Sequence, residues 1–356
     1  MIVTRFHDVE KLELTVEFLS PTFLGGADQN AELRSAPFKN LLRQWWRVAN
    51  GQLSPDRLRE EEGKLFGTVL GDEKTSASRI RISLTPANDF SVKDTLPSIG
   101  KIEHPEVKGK SGNPIMVDRL LYLGYGPVNQ EKVNGKYTLV TRRFIQPGSK
   151  AAFSLHIPKT QKKTLEQTLS LVHLLGTIGG RSRNGYGSLA LSGGGFHPTL
   201  DQSASLEFKA VMTDQGRKYP HALGRDDQGL LCWEYTAGKT WEDVFRVFSE
   251  LYMKTRTSLP FTKKDELESR HILGYPAGRN HKVSAWGDNN GRMPSQLRLM
   301  IKRNELNQIV GRILHLPHPV PKPWDEKNGG RELEVWKKVH TFLDNQKELR
   351  RWGGNS

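Results

Sequence analysis

A single cysteine, Cys232, stands in a chain of 356 residues. One thiol excludes an intramolecular disulfide and any zinc site built on a cysteine cluster, and it fits a reducing compartment. No apolar run approaches the roughly 18 residues that a membrane-spanning helix needs. Met1–Lys11 lacks the apolar stretch of a signal peptide, so a soluble, cytoplasmic protein without membrane partners is expected. Carboxylates are scarce as well: 39 Asp+Glu stand against 53 Lys+Arg, a net charge of +14. Such an excess points to a polyanionic partner, because Lys and Arg that neutralise phosphates release counterions. Also missing are a Gly-Lys-Ser/Thr phosphate loop, a Ser/His/Asp signature, a His-Glu-x-x-His zinc motif and an EF-hand loop. Neither a metal nor an organic cofactor is expected.

The length exceeds the usual domain of about 100–200 residues, so two domains are expected. The 34 glycines and 19 prolines imply long loops, which on a basic protein are frequent binding surfaces. Leu12–Phe18 alternates apolar and polar residues with period two, the mark of a half-buried strand. A helix is expected over Ala36–Asn50, with Pro37 accepted in its first turn. Strands are expected over Ser78–Thr85, over Tyr137–Ile145 and around Phe153, Leu155 and Ile157. Lys162–Leu175 is amphipathic, with Leu165, Leu169, Val172 and Leu175 on one stripe. Residues 87–136 hold little pattern apart from Val117–Tyr122 and read as an insertion. Without it the order over residues 1–195 is the βαββαβ of a ferredoxin-like (RRM-like) domain in an α+β chain. Ser192–Ser205, with three consecutive glycines, reads as the boundary. A weaker unit follows over 206–356. It holds a strand at Leu206–Met212, a helix capped by Thr240 with Asp243, a hairpin at Leu297–Lys302 and Ile309–Leu316, and a closing helix from Arg331. Its residues 256–296 form a long basic and polar loop.

The most telling stretch is residues 176–187, Gly-Thr-Ile-Gly-Gly-Arg-Ser-Arg-Asn-Gly-Tyr-Gly. It follows a helix and precedes a short strand, Ser188–Leu191, the reverse of the strand-then-helix order of a mononucleotide site. Glycines allow close approach to a ligand, and exposed amides with arginines attract phosphate. A loop that tracks a nucleic-acid backbone is therefore expected. Candidate phosphate contacts are Arg181, Arg183 and the amides around Gly179, Gly180, Gly185 and Gly187, with Tyr186 as a candidate base-stacking ring. On a helical wheel, Phe38, Leu41, Leu42, Trp45, Val48 and Ala49 share one side of the first helix. Lys39, Arg43, Trp46, Arg47 and Asn50 share the other. Three cations with no carboxylate on the helix suit phosphates, and Trp46 at the border suits an unpaired base. The bland alternative is a solvated basic face with Trp46 covering the core rim.

Phe23-Leu24-Gly25-Gly26-Ala27-Asp28, Glu32-Leu33-Arg34 and Phe38–Arg47 closely resemble the opening of the RAMP superfamily of CRISPR proteins, most of all subunit one of the Cmr (type III-B) effector complex. Leu65-Phe66-Gly67, Phe144–Ser149 and the Gly179–Ser188 loop resemble further blocks of that family in the same order. Together they cover residues 12–191. Asn40 departs from the pattern, since many members carry glycine there. The resemblance implies two tandem ferredoxin-like folds with long insertions, guide and target RNA as ligands, and sister Cmr subunits as partners. It implies a non-catalytic RNA-binding subunit near the 3′ end of the guide, in antiviral defence.

The alternative is an endoribonuclease. Asp28, with Glu32, lies where catalytic RAMP subunits place their aspartate, and metal-assisted hydrolysis would want carboxylates converging on Mg²⁺. An acid beside Gly26 is also an ordinary turn residue. Metal-free cleavage would use a histidine, and His156, His173, His271 and His281 are available without a diagnostic spacing. Gly224–Asp227 and Asp288–Gly291 read as turns.

Overall fold

Alternate burial of Leu14, Val16 and Phe18 along β1 (Val9–Phe18) is what its period-two pattern requires. The computed structural model describes residues 8–26, 28, 30–68, 75–133, 135–212, 222–259, 261–262, 265–275, 283–284, 292–318 and 331–353. The chain is α+β with antiparallel sheets. It divides into two compact units. The first comprises Met1–Leu96, Gly126–Ala204 and Met300–Arg303, and the second comprises Pro97–Tyr125, Ser205–Leu299 and Asn304–Ser356.

The first unit runs β1, α1 (Ser35–Ala49), α2 (Pro55–Phe66), β2 (Arg81–Pro86), β3 (Lys150–Pro158), α3 (Lys162–Leu175) and β4 (Leu189–Ser192). The sheet order is β4-β1-β3-β2 with every neighbour antiparallel, for example Leu14 opposite Phe153 and Val16 opposite Leu191. Phe38 of α1 meets Phe18 and Phe153 at ring distances of 6.4 and 5.6 Å, which seats α1 on the apolar face. Each such fully buried side chain contributes about 1.5–3 kcal/mol. The apolar stripe of α3, Leu165, Leu169, Val172 and Leu175, is buried. Helix α2 was not expected, although Pro55 opens it and Gly67, at φ 86°, closes it.

The second unit runs β5 (Cys232–Tyr235), α4 (Trp241–Thr257), β6 (Leu297–Arg303, whose last four residues count with the first unit), β7 (Ile309–His315), α5 (Arg331–Asp344) and β8 (Arg350–Arg351), in the sheet order β6-β7-β5-β8. The Thr240–Asp243 capping box at the start of α4 forms as expected. The expected first strand does not: Ser205–Glu207 is a strand and Phe208–Met212 a short helix. Cys232–Tyr235 takes that place in the order instead. Part of the expected insertion also belongs here. Lys101–Lys108 and Pro114–Asp118 form a hairpin, and Asp118 caps the helix Arg119–Gly124. Arg270 grips Glu106, with Nη1 at 2.7 Å, and Arg119 donates to Glu250 at 2.7 Å. The stretch expected as the strand Tyr137–Ile145 splits into Lys136–Thr141, paired with Val128–Val133, and Phe144–Ile145, paired with Val92–Lys93.

Inside the second unit His315 and His340 are buried side by side, Nδ1 to Nε2 at 2.8 Å. His315 Nε2 lies 3.0 Å from Gln296 Oε1, an acceptor, so Nε2 carries the proton and Nδ1 accepts from His340. Burial lowers both histidines, that of His340 to about 3, which keeps the pair neutral.

Candidate nucleic-acid interface

After α3 the chain returns to β4 through the glycine-rich loop, which is closed at its base. Thr177 and Ser188 bridge, and Ile178 N–H donates to Gly187 O at 2.8 Å. Two glycines are required. A Cβ on Gly187 (φ 68°) would collide with the Ile178 carbonyl, and one on Gly179 (φ 86°) with the Phe23 carbonyl. The loop is laced to the segment leaving β1: Gly180 N–H donates to Phe23 O at 2.9 Å, Gly187 N–H to Pro21 O at 3.0 Å, and Ser20 Oγ to Gly185 O at 2.7 Å. From residues 300–303, Lys302 Nζ donates to the carbonyls of Val172 (3.3 Å), Gly176 (2.7 Å) and Leu189 (2.8 Å), and Ile301 N–H donates to Ser188 Oγ at 2.8 Å. The buried ammonium thus adds to the Gly176 N–H at the Val172 carbonyl and ties the C-terminus of α3 to β4 through Gly176 O and Leu189 O.

This lacing corrects several expectations. The Gly180 and Gly187 amides are spent on Phe23 and Pro21 and do not face a ligand, and Gly185 is buried. Tyr186 is fully buried, its ring 5.3 Å from that of Phe23, so it stacks on no base. Trp46 is 3% exposed and packs edge-on against Phe66 at the end of α2, which excludes it likewise. Arg43 and Arg47 converge on Glu62 of α2, with Arg47 Nη2 at 2.6 Å. A wheel drawn for one helix cannot register a carboxylate carried by another. The three-cation face is therefore two arginines sharing a buried carboxylate, beside Lys39, whose pKa is lowered by partial burial and then by Arg43.

The remaining cations gather at the loop. Arg181 is exposed and holds φ 55°, a left-handed conformation that costs a non-glycine residue about 1–2 kcal/mol. Its Nη2 lies 3.5 Å from where a Cβ on Gly126 would sit. Arg183 is half-buried with no hydrogen-bond or ion-pair partner among the described residues, and desolvation lowers its pKa. Arg142 and Arg143 are exposed, and Arg143 has no partner among the described residues. Neither was singled out from the sequence; two adjacent arginines ahead of Phe144–Ser149 were the available signal.

Two open pockets flank the Phe23–Gly180 bridge, and Phe23, Gly25 and Gly180 line both. One, about 420 Å³, lies between the loop and α1, with Asn40, Gln44, Thr177 and Ser182 as its polar side chains. The other, about 210 Å³, is walled by Pro127, Arg142 and Arg143.

The candidates for hydrolytic chemistry are scattered. Asp28 is an exposed turn residue that accepts from Asn30 Nδ2 at 3.3 Å, and Glu32 faces Arg34 at 3.6 Å. His156 is half-buried on β3, and His173 Nδ1 lies 2.9 Å from Leu191 O. His271 is buried and accepts from Glu268 N–H at 3.0 Å. His281, Asp288–Gly291 and much of the basic loop at 256–296 lie outside the described residues. Asp226 of the Gly224–Asp227 segment accepts from Arg351 at 2.9 Å. Among the described residues no group of three or more His, Cys, Asp or Glu is arranged to hold a metal, and no helix is long and apolar enough to cross a membrane.

Residues 15–190 match the family model of the RAMP superfamily. A curated relative, CRISPR system Cmr subunit Cmr1-1 of Pyrococcus furiosus, is 29% identical over 185 residues, 51% of this chain. That match spans 46% of the relative, so the chain covers about half the length of the curated protein it resembles. The fold is similar to the crystal structure of apo Cmr1 from Pyrococcus furiosus, with TM-score 0.49 and 18% identity over 92% of this chain and 96% of that one. It is also similar to a chain of the type III-B Cmr-beta complex bound to cognate target RNA, with TM-score 0.45 and 12% identity over 93% of this chain and 100% of that one.

Proposed function

From the match of residues 15–190 to the RAMP superfamily model, we propose that the chain is a member of that superfamily and a non-catalytic RNA-binding subunit of a type III-B (Cmr) CRISPR ribonucleoprotein in the cytoplasm. It contacts guide RNA near its 3′ end, target RNA or both, beside sister Cmr subunits, in antiviral defence. Both units are read as ferredoxin-like. Numbered within each unit, their strands follow the order 4-1-3-2 with a helical segment in each crossover.

One observation carries the reading: Arg142 and Arg143 wall a pocket with Gly180 of the glycine loop that itself carries Arg181 and Arg183, and Arg143 and Arg183 have no partner among the described residues. A half-buried guanidinium without a carboxylate is stabilised by a phosphate. The net charge of +14 supplies the long-range attraction. The α1 cations, paired with Glu62, are secondary. Stacking falls to Tyr137, 68% exposed on the hairpin of the first unit, in place of Trp46 and Tyr186.

Titrating purified protein with labelled single-stranded RNA across a salt series tests the proposal. Log affinity falls linearly with log salt, by about 0.7 for each phosphate neutralised. Absent or salt-insensitive binding would sink it. Incubation of the same RNA with Mg²⁺ examines the enzymatic alternative: clean fragments that vanish in Asp28→Ala would establish an endoribonuclease.

A further inference from the structure

Helix α1 covers the face of the first unit's sheet that carries Phe18 and Phe153. The alternate residues of each strand project from the other face. On the central strands β1 and β3 these include Thr15, Ala152 and Ser154, and none is Phe, Tyr or Trp, the rings on which an RRM-type sheet stacks bases. The register instead sets three basic side chains in one row. His156 of β3 lies opposite Lys11 of β1 on one side and opposite Arg81 of β2 on the other. Arg81 is exposed and His156 half-buried, and neither has a hydrogen-bond or ion-pair partner among the described residues. Arg79, two residues before Arg81, is exposed and equally without such a partner. Lys11 is engaged by Glu13, the carboxylate of the next row. Charge on an edge strand such as β2 keeps stray strands from pairing with it. That reason does not reach β1 and β3, which have neighbours on both sides. A protonated His156 is repelled by a cation on each side, and an anion laid along the row relieves that repulsion.

Resting on the RNA-binding reading above, we infer that the row Lys11–His156–Arg81, with Arg79, is a second phosphate site for single-stranded RNA, one that holds the backbone and leaves the bases unread. It lies at the far end of β1 from the glycine loop. Phe18 pairs with Leu189, just beyond that loop, and from Phe18 back to Lys11 the strand runs about 24 Å. At about 3.4 Å per phosphate along a stacked strand, bridging that distance takes about seven nucleotides. A shorter RNA occupies one site only. A longer one engages both, and its second contact is made at the high effective concentration of a tethered ligand. The row therefore makes affinity depend on RNA length and not on sequence.

The test titrates the full-length chain with uridylate strands of about four and about sixteen nucleotides, the range of single-strand site sizes. The double variant Arg81→Gln, His156→Gln is expected to bind the long strand at least about tenfold more weakly than the wild type. Its salt slope for that strand is shallower by at least about 0.7, while its affinity for the short strand is unchanged. Both side chains face outward, and circular dichroism verifies that the variant is folded. Lys337→Gln, Lys338→Gln, two exposed positions on α5, controls for the loss of charge as such. An equal effect in that control assigns the change to bulk charge and overturns the inference. Wild-type affinity of the row variant for the long strand overturns it too, and leaves the row to an acidic protein surface. A matching loss for the short strand merges the row with the loop site and defeats it as well. Failure of the wild type to bind either strand overturns the underlying RNA-binding reading instead.

Discussion

Replacing Gly187 by alanine isolates what holds the glycine loop in shape. Gly187 sits at φ 68°, where an L-residue is disfavoured by about 1–2 kcal/mol. Its new Cβ would strike the Ile178 carbonyl, which is backbone and cannot swing aside. Relief requires the two strands of the loop to part, which breaks the Ile178-to-Gly187 and Gly187-to-Pro21 hydrogen bonds, about 1 kcal/mol each. The sum is about 3–4 kcal/mol, a large share of a typical stability of about 5–15 kcal/mol. Gly148→Ala is the matched control: its φ is 89°, but nothing lies within 4 Å of the added carbon. It therefore carries the conformational term alone. Urea denaturation followed by tryptophan fluorescence reads both, since Trp45 and Trp46 of α1 are buried in the same unit. Gly187→Ala is expected to unfold at clearly lower urea than Gly148→Ala and to lose RNA affinity at temperatures where it remains folded. Coincident midpoints would refute the steric argument.

Removing Arg143 and Arg183 together is expected to reduce the log–log salt slope of RNA binding by about 1.4, two phosphates' worth; an unchanged slope places the phosphates elsewhere. Glu62→Gln frees Arg43 and Arg47 from their shared carboxylate, and the slope is expected to steepen while the melting temperature falls. A slope that stays put would show that α1 does not face the nucleic acid. Both buried histidines are neutral when folded, so unfolding takes up protons below the ordinary value of 6.5. Stability is complete above that pH and falls on acidification, for His340 down to about 3. His340→Gln is expected to flatten the melting temperature between pH 7 and pH 4, and an identical acid profile would contradict the neutral pair. Tyr137→Ala is expected to weaken single-stranded RNA binding without altering the salt slope, by an amount that fluorescence anisotropy resolves; no change would exclude it as a stacking ring.

Local patterns reached a long way into this fold. The stripe Leu165, Leu169, Val172, Leu175 and the glycine after it marked α3 at both ends, because one helix and its stop are written in consecutive residues. Helix α2 was missed although Ser54-Pro55 and Gly67 are ordinary start and stop signals, since its few apolar residues, Leu58, Leu65 and Phe66, make a thin stripe. The strand Cys232–Tyr235 is too short for its alternation to be read. The site was less legible than the fold. Arginines 181 and 183 were visible as charge, but whether an amide or a cation is free depends on partners far away: Phe23 and Pro21 for the loop, Glu62 for α1. Burial of Trp46 and Tyr186 follows from the same long-range packing.

Residues 300–303 have a consequence for how the molecule is made. They complete the first unit, through Lys302 on three carbonyls and Ile301 on Ser188, yet they are translated about a hundred residues after Ala204. At about 5–20 residues per second, the emerging N-terminal half waits about 5–20 s on the ribosome with the end of α3 lacking its lysine. A fragment that stops at residue 204 stays in that state permanently. The portion most easily recognised as a family domain is thus not the portion that can finish itself, and dissecting this protein by its family boundaries would discard the lysine that its glycine loop leans on.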